Sequence, residues 1–448
     1  MAGYRVANYK PFDPVSKRTE ASCLNIAKKT MMTVTKGAPQ VILSVTGQDG
    51  KLLKEVATAV DAFAKKGYRT LAVAEGDSKS RPRIVGLIVL YDPPREDSKS
   101  TIRSAAAMGV DVKMVTGDHV AIAREMCKEV GIGTDIMLTQ ELNDPATTTS
   151  AIEKANVFAE VFPENKYAIV EKLQARGHIV GMTGDGVNDA PALKKADAGI
   201  AVSGATDAAR SAADIVLTKG GLSVITDAIT HSRMIFERMN SYAIYRIAET
   251  IRVLLLISLA IIVLNFYPLT VLMLVLLALL NDFPIMMIAY DNAPMAEKPM
   301  RWNMERILSE STFLGAMGVV SSFTLLLLGV YVFHLSTPVL ETLMFLKLLV
   351  AGHMTLYLAR SGKKHFWNRP LPSPRLFAVV ETTQLAATLL VLSGLLLPPL
   401  SLGLVAFVWT YALMFFVIND FGKVAFLRYL DSRNGRTSNR PITPSTIA

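Results

Sequence analysis

Two carboxylates and an amide lie close together in a glycine-rich turn near the middle of the sequence. Asp185, Asn188 and Asp189 follow the apolar run 178–182, and a glycine stands on each side of Asp185. The run predicts a buried strand, and the glycines let the backbone bend sharply after it. Carboxylate and amide oxygens are the ligands that Mg²⁺ shares with a substrate phosphate. The turn therefore predicts a magnesium site, although the same residue types also form ordinary turns.

A second turn has the features of a phosphate-binding site. Thr116, Gly117 and Asp118 come directly after an apolar run and directly before a segment, 119–130, with helical spacing. The free N–H groups and the dipole at a helix N-terminus favour an anion such as phosphate. Lys166 stands in the first turn of another predicted helix, where its charge opposes the dipole. A phosphate partner would explain this lysine.

Residues 1–91 hold weaker signals for a nucleotide. Phe12 has lysines and an arginine nearby, and Lys36 precedes the flexible Gly37. An aromatic ring can stack on a purine base while cations meet its phosphates. Loop lysines are usually only solvated, so these residues alone leave both interpretations open. The run Asp92-Pro93-Pro94-Arg95 predicts a stiff domain boundary, because proline fixes the backbone and cannot continue a strand.

The candidate residues sit in an alternation of strands and helices. In residues 1–91 the patterns predict one helix, 52–66, and four strands, at 31–35, 41–45, 70–74 and 84–91. From residue 98 onward, strand and helix alternate as in an α/β doubly wound fold. Ligands of such open parallel sheets bind at the carboxyl ends of the strands, which is where the candidate turns fall.

The second half of the 448-residue chain consists largely of long uncharged runs, and the mean hydropathy of the whole chain is +0.34. Each run is long enough to cross a bilayer core of about 20 residues. The six predicted spans are 242–265, 268–290, 311–334, 339–359, 376–397 and 400–420. The sequence therefore predicts a soluble head followed by a multi-pass membrane domain in contact with the lipid bilayer.

The charges of the loops predict the orientation. Lys and Arg are concentrated after the second and fourth spans and in the tail, and they are missing from the other three connections. By the positive-inside rule, the head and the C-terminus are cytoplasmic. Membrane topology thus explains the net charge of +9 better than a nucleic-acid partner does. The two cysteines, Cys23 and Cys127, are too far apart to suggest a zinc site or a disulfide framework.

Placing an ionisable side chain inside a membrane is energetically unfavourable, so such residues in the predicted spans point to function. Glu249 and Arg252 are three residues apart in the first span and can pair on one helix face. Asp282 lies beside Pro284 in the second span, where we expect local unwinding to free backbone carbonyls. Asp282 is either a cation or proton site or a paired structural carboxylate. Lys347 and His353 are weaker candidates, and a paired or snorkelling role suits Lys347 better.

Taken together, the motifs resemble those of the P-type cation-transporting ATPases, in the same order and spacing and over essentially the whole chain. Residues 190–197 and 205–210 look most like the plasma-membrane proton-pumping branch. The motifs that carry the resemblance are Lys36-Gly37-Ala38-Pro39, Asp92-Pro93-Pro94-Arg95, Thr116-Gly117-Asp118, the Pro163–Lys166 turn and the Gly184–Pro191 loop.

The resemblance implies a role for each candidate residue. Phe12, Lys36, Gly37 and Arg95 would bind ATP, and Thr116, Gly117, Asp118 and Lys166 would surround the transferred phosphoryl group. Asp185, Asn188 and Asp189 would hold Mg²⁺. Asp282 would accept and release the proton, with Arg252 and Glu249 beside it. An arginine close to an aspartate favours the charged form of the carboxyl.

The resemblance also implies the domain plan. We expect a partial α+β nucleotide-binding domain (1–91), a haloacid-dehalogenase-like α/β phosphorylation domain (92–222), a stalk helix (223–241), a six-helix α-helical membrane domain (242–420) and a basic cytoplasmic tail (421–448). The expected location is the plasma membrane.

The chain departs from the family pattern at one decisive point. It contains no Asp-Lys-Thr-Gly-Thr and no Thr-Gly-Glu, so the phosphorylated aspartate and the actuator loop are missing from this sequence. The expectation is the C-terminal portion of a pump, inactive alone, with an unpaired position in the phosphorylation-domain sheet and with the N-terminal half as a partner. Two alternatives stay open: a non-catalytic, split or decayed fragment that binds nucleotide or a partner half, and a pump for Na⁺, K⁺ or Ca²⁺.

Overall fold

The computed structural model describes residues 3–13, 16–46, 50–77, 81–144, 148–294, 296, 298–299, 301–434 and 445–447. Much of the basic tail expected at 421–448 lies outside these residues. The chain divides into two compact units, one formed by residues 1–227 with 443–448 and the other by residues 228–442. Each unit has its own hydrophobic core.

The first unit begins with a five-stranded antiparallel sheet whose strands follow one another in chain order. The strands are β1 (Tyr4–Asp13), β2 (Arg18–Asn25), β3 (Thr30–Gly37), β4 (Arg69–Asp77) and β5 (Arg83–Leu90). Two helices connect β3 to β4, namely α1 (Pro39–Val45) and α2 (Gly50–Ala64). The buried residues Ile42, Ala72 and Ala74 form the small core of this part.

The strand predicted at 41–45 is wrong, because these residues form most of α1. Pro39 stands at the start of this helix, where its fixed φ angle suits the first turn and its missing N–H is no loss. An apolar run this short does not distinguish a strand from a buried helix by its periodicity. The completely buried Ile42 anchors the helix on the sheet.

The rest of the first unit alternates parallel strands with helices. Its helices are α3 (Ser98–Ala107), α4 (Val120–Val130), α5 (Thr139–Asn143), α6 (Thr149–Lys154), α7 (Pro163–Ala175), α8 (Ala190–Lys195) and α9 (Asp207–Ala212). Its strands are β6 (Val110–Val112), β7 (Met114–Val115), β8 (Ile136–Leu138), β9 (Val157–Ala159), β10 (Val180–Gly184), β11 (Ala198–Ala201) and β12 (Ile215–Val216). All described pairs are parallel, as the alternation predicts. β7, β9 and β8 form one sheet, and β6 leads directly into β7 through Lys113.

The sheet position expected to be unpaired is occupied. The order of the larger sheet is β12-β11-β10-β13-β6, and its fourth strand, β13 (Ser445–Ile447), comes from the far end of the chain. Thr446 is level with Asp111 of β6 and with Val180 of β10, and the pairing is parallel on both sides. The backbone groups of a strand inside a sheet are all satisfied only when it has a neighbour on each side. Here β13, from the tail, is the neighbour that β6 and β10 share.

Removing β13 should loosen the two strands that it joins. We expect deletion of residues 443–448 to speed amide hydrogen exchange in Val110–Val112 and Val180–Gly184, because their backbone groups lose a partner. Exchange measured by mass spectrometry on the full chain and the deletion variant tests this, with Thr30–Gly37 in the antiparallel sheet as the internal control. Unchanged exchange in both parallel strands would contradict the pairing.

The two cysteines differ in their surroundings. Cys127 on α4 is completely buried, and this burial raises the pKa of its thiol to about 11. Cys23 on β2 is only partly buried. Because the thiolate is the reactive form, the difference predicts that only Cys23 reacts readily near neutral pH.

A maleimide labelling experiment checks this expectation. The native full chain should be labelled at Cys23 alone, and the Cys23→Ser variant should stay unlabelled until a denaturant is added. The Cys127→Ser variant is the matched control and should react as fast as the parent chain. Rapid labelling of the native Cys23→Ser variant would show that the pocket around Cys127 is open.

Six helices of the described chain are long and apolar enough to cross a membrane. They are α10 (Ser223–Leu264), α11 (Val271–Met287), α12 (Met304–Tyr331), α13 (Thr337–Ser361), α14 (Pro374–Ser393) and α15 (Leu402–Asn434). The most apolar stretch of α13 is 78% buried, against 50% or less in the other five, so α13 is the central helix. α10 is one continuous helix through the predicted stalk and the first predicted span.

The expected unwinding at Pro284 does not occur, because α11 continues through this residue to Met287. Proline lacks an N–H, so the carbonyl of Leu280, four residues earlier, loses its helical partner. Neighbouring helices can satisfy a carbonyl freed in this way.

Buried ion pairs fasten the connections of the membrane unit. Arg360 Nε lies 2.6 Å from a carboxylate oxygen of Asp291. Asp420 on α15 is completely buried, 2.5 Å from His365 Nδ1 and 3.3 Å from Lys423 Nζ. Charges buried in this way need partners. The pairs tie the segments after α11 and α13 to their neighbours in the unit.

Candidate functional site

The predicted magnesium turn is held together by one aspartate. Asp189 ends a short 3₁₀ turn after β10, and its Oδ2 accepts hydrogen bonds from the N–H groups of Asp185 at 3.2 Å and Gly186 at 3.1 Å. Its Oδ1 lies 2.7 Å from Lys166 Nζ. A Cβ atom on Gly184 would approach Asp189 Cβ to 2.5 Å, so this tight loop requires a glycine there.

The three predicted magnesium ligands therefore differ in availability. Asp189 is buried and already partnered, whereas Asp185 and Asn188 are exposed at the carboxyl end of β10. Mg²⁺ commonly takes one or two protein oxygens and completes its shell with water and phosphate. The donor set of Asp185 and Asn188 fits that use, and Asp189 orients the loop that carries them. In the part of the chain that the structure describes, no three His, Cys, Asp or Glu side chains form a metal-ligand group.

Lys166 lies in the first turn of α7, as predicted. Its ammonium group opposes the helix dipole, and the ion pair with Asp189 offsets this unfavourable position. The side chain of Lys166 is 20% exposed, so the ammonium group can still meet a ligand from the open side. Its position thus has a structural explanation, and a phosphate is not needed to account for it.

The turn after β7 forms a second small network. The Thr116 hydroxyl donates to Asp118 Oδ2 at 3.0 Å and accepts from the Asp118 N–H at 3.1 Å. Backbone hydrogen bonds tie Thr116 to the β9 side of the sheet, at Phe158 and Val161. Gly117 packs against the Val161 carbonyl, which a Cβ atom there would approach to 3.4 Å. The turn is thereby fixed at the strand end.

Sequence reasoning missed Arg69, which reaches this turn from the antiparallel sheet. Arg69 Nη2 donates to Asp118 Oδ2 at 2.6 Å. The hydrogen bond with Asp118 raises the pKa of Arg69, against the smaller opposite effect of its partial burial. In the sequence, Arg69 was only the residue directly before the predicted strand 70–74, and that does not reveal a partner 49 residues away.

The nucleotide candidates share one end of the antiparallel sheet. The register places Asp13 beside Arg18 and Arg18 beside Gly37, so Phe12 and Lys36 lie at the same sheet end. Phe12 is 61% exposed, and a Cβ atom on Gly37 would come within 2.5 Å of the Lys17 carbonyl. An aromatic ring and cations are available together there.

Arg95 lies elsewhere, against Gly220 after β12. Lys17 is one of the lysines near Phe12 in the sequence, and its ammonium lies 5.3 Å from the centre of the Phe162 ring, just before α7, a contact that was not predicted. This cation–π contact connects the antiparallel sheet to the helix that carries Lys166.

In the membrane unit, Glu249 and Arg252 pair as predicted. Arg252 Nη2 lies 2.5 Å from Glu249 Oε1 and donates to the Leu348 carbonyl of α13 at 2.7 Å. Arg252 is 2% exposed and Glu249 is 6% exposed. Cβ atoms on Gly318 or Gly352 would collide with the Arg252 side chain, so two glycines make room for it between α12 and α13.

Asp282 does not join this pair. Its side chain is exposed on α11, and no described ion pair links it to Arg252, whereas the neighbouring Asn281 is buried. Lys347 is completely buried and donates to Ser322 Oγ and, at 3.5 Å, to the Gly318 carbonyl. It is therefore hydrogen-bonded in the interior of the unit, and no ion pair of the described residues includes it.

A haloacid-dehalogenase-like hydrolase domain, joined to six apolar helices, is the class that this fold and site define. The family model of that name matches residues 51–197. The chain is 48% identical, over 96% of its length, to a protein of Methanocaldococcus jannaschii provisionally named a cation-transporting ATPase. It is 41% identical over 87% of its length to plasma membrane ATPase 1 of Candida albicans, and 39% identical over 88% to plasma membrane ATPase 2 of Saccharomyces cerevisiae.

The homologues of this chain are P-type cation-transporting ATPases, plasma-membrane ATPases among them. The chain covers 54%, 45% and 43% of these three relatives. The chain thus spans about half the length of the curated relatives that it matches.

The exposed carboxylate at the end of β10 gives a test of the metal site. Asp185→Asn should weaken Mn²⁺ binding, measured by electron paramagnetic resonance on the full chain, by about tenfold or more, because a charged ligand is lost. Asp207→Asn, at the start of α9, is the control and should bind like the parent chain. Equal Mn²⁺ affinity in the Asp185→Asn variant would remove Asp185 from the ligand set.

Proposed function

We propose that this chain is the phosphate-handling and ion-conducting part of an ATP-driven cation pump whose cargo is the proton. The observation that carries the proposal is the loop at the end of β10, where Asp189 fixes an exposed Asp185 beside Lys166. The same chain carries a buried ion pair of Arg252 and Glu249 among apolar helices. A phosphate site and an intramembrane charge site are the two elements that such a pump needs.

In this proposal the head residues position a phosphoryl group. Lys166 and the Thr116 hydroxyl contact its oxygens, and the backbone of the turn 116–118 donates further hydrogen bonds. Mg²⁺, held by Asp185 and Asn188, supplies the countercharge that phosphoryl transfer requires. Phe12, Lys36 and Gly37 bind the nucleotide at the end of the antiparallel sheet, and Arg95 acts at the boundary near Gly220.

The cargo is inferred from the number of carboxylates in the membrane unit. A Ca²⁺ site takes about six to eight oxygen ligands, and the first two spans contain only Glu249 and Asp282 as carboxylates. A single carboxylate suffices for a proton. In the proposed cycle Asp282 carries the proton, and Arg252, which is paired with Glu249 in this structure, favours the charged carboxylate only in a state where the two side chains approach each other. Na⁺, K⁺ and Ca²⁺ are the alternative cargoes.

The membrane and its orientation follow from the loops. The connections near 291–310 and 360–375 carry the Lys and Arg residues, so the head and the C-terminus lie in the cytoplasm. The names of the plasma membrane ATPases of Candida albicans and Saccharomyces cerevisiae support the plasma membrane as the location.

A partner half completes the proposal. No aspartate in this chain lies in an Asp-Lys-Thr-Gly-Thr run, so the phosphoryl acceptor comes from a segment outside it. A second candidate function is a non-catalytic membrane protein that binds nucleotide or a partner half. One observation favours that candidate: β13 already occupies the sheet position between β6 and β10.

Phosphorylation by ATP separates these alternatives. The purified chain incubated with γ-labelled ATP should give no acid-stable, hydroxylamine-sensitive phosphoprotein, because the acceptor aspartate is absent. The same chain supplied with a segment that carries the Asp-Lys-Thr-Gly-Thr run should become labelled, and Lys166→Ala should abolish the labelling.

Labelling of the isolated chain would contradict the proposed inactivity. If the completed protein binds nucleotide but does not become labelled, the result favours the non-catalytic candidate. Lys194→Ala, on the exposed end of α8, is the matched control for Lys166→Ala and should label normally.

A further inference from the structure

A small cavity lies beside the Arg252 guanidinium, among α10, α12, α13 and α15. Its volume is about 10 Å³, and its polar lining includes Arg252, Ser321, Lys347, Thr355 and Asn419. We propose that this cavity binds a single water molecule that joins Arg252 to Asn419, and that Asn419 is thereby a positioning residue for Arg252. The cavity adjoins the Arg252–Glu249 pair. Any role of the water in transport rests on the proposed function, whereas the binding of the water rests only on the geometry of the cavity.

Two polar atoms among the cavity residues lack a hydrogen-bond partner within the described chain. They are Arg252 Nε, whose N–H is a donor, and Asn419 Oδ1, an acceptor. Arg252 is 2% exposed and Asn419 is 9% exposed, so bulk water does not satisfy them. A buried donor or acceptor without a partner costs roughly 1–3 kcal/mol. One donor and one acceptor beside the same cavity are what a bridging water needs.

The size and the charges favour water over an ion. A buried water needs roughly 10–15 Å³ of free volume and two to four polar partners. The bridging water would accept from Arg252 Nε and donate to Asn419 Oδ1, and Lys347 Nζ has a third N–H beyond those used with Ser322 and Gly318. Two cationic side chains in the lining repel a metal ion, and Glu249 already neutralises Arg252.

Asn419 is firmly placed for this task. The next residue, Asp420, accepts a hydrogen bond from the Phe366 N–H at 3.2 Å and lies 2.5 Å from His365 Nδ1. These contacts fix α15 at the level of Asn419. On the other side, Gly318 and Gly352 confine the Arg252 side chain, and its Nη2 is bound by Glu249 and Leu348. The water would bind the remaining Nε side and connect Arg252 to α15.

The test is solid-state NMR of the full chain in lipid vesicles with ¹⁵N-labelled arginine. In the parent chain the Arg252 Nε–H signal, assigned by its loss in Arg252→Lys, should show a cross-peak to water and exchange slowly. In Asn419→Ala the cross-peak should weaken and Nε–H exchange should speed up about tenfold, the factor that matches one lost hydrogen bond to a charged group.

Two further variants make the result specific. Asn419→Asp keeps an acceptor and should restore slow exchange. Thr355→Val also changes a lining residue, but the Thr355 hydroxyl donates to Ala351 within α13, so exchange should stay as in the parent chain. A missing water cross-peak in the parent chain, or Asn419→Ala exchange equal to the parent, would overturn the proposal. These signals do not depend on pumping, so a failed phosphorylation test leaves them interpretable.

Discussion

The anchoring of Asp189 is the constraint on which the head site depends. One carboxylate closes the loop after β10 through two backbone N–H groups and at the same time neutralises Lys166. The charge-assisted bonds are stronger than neutral ones, so the loop and the first turn of α7 are held as one piece. Asp185 owes its exposed position to this arrangement. A metal-binding residue is thus presented by a neighbour that does not itself need to touch the metal.

In the membrane unit, too, charged side chains are held by charged or polar partners, and the free-energy cost of an unpaired charge is larger there. An isolated charge in an apolar interior is strongly unfavourable, and removing one partner of a buried pair leaves the other uncompensated. Arg252, Arg360 and Lys423 each have a carboxylate partner, and backbone carbonyls satisfy further N–H groups. Three of these contacts involve the central helix α13 or the segment after it. Charge pairing therefore sets the helix arrangement as well as a candidate ion site.

Much of this organisation could be predicted from the sequence, because it depends on local patterns. Hydropathy runs long enough to span a membrane predicted six helices, and the strand–turn–helix alternation predicted the parallel sheet. The predictions that failed depended on longer-range contacts. The run 41–45 was too short to show its helical character, and α11 continues through Pro284, where unwinding was expected, because it packs within the membrane unit. Arg69 acquires its partner Asp118 only through tertiary packing, which a single sequence does not reveal.

The register of β13 has a consequence for the phosphate site. β13 pairs with Val180 and Gly181 of β10, whereas β11 pairs with residues as far as Gly184. The described β13 pairing thus covers only the half of β10 that is distant from Asp185. Ile447 is level with Gly181, so a strand that ran three residues further in the same register would reach the level of Gly184. Its next residue would then be level with Asp185, the exposed carboxylate at the end of β10. Within the described residues, β13 therefore satisfies the sheet beside Val180 and Gly181 and does not pair with the end of β10 that carries Asp185.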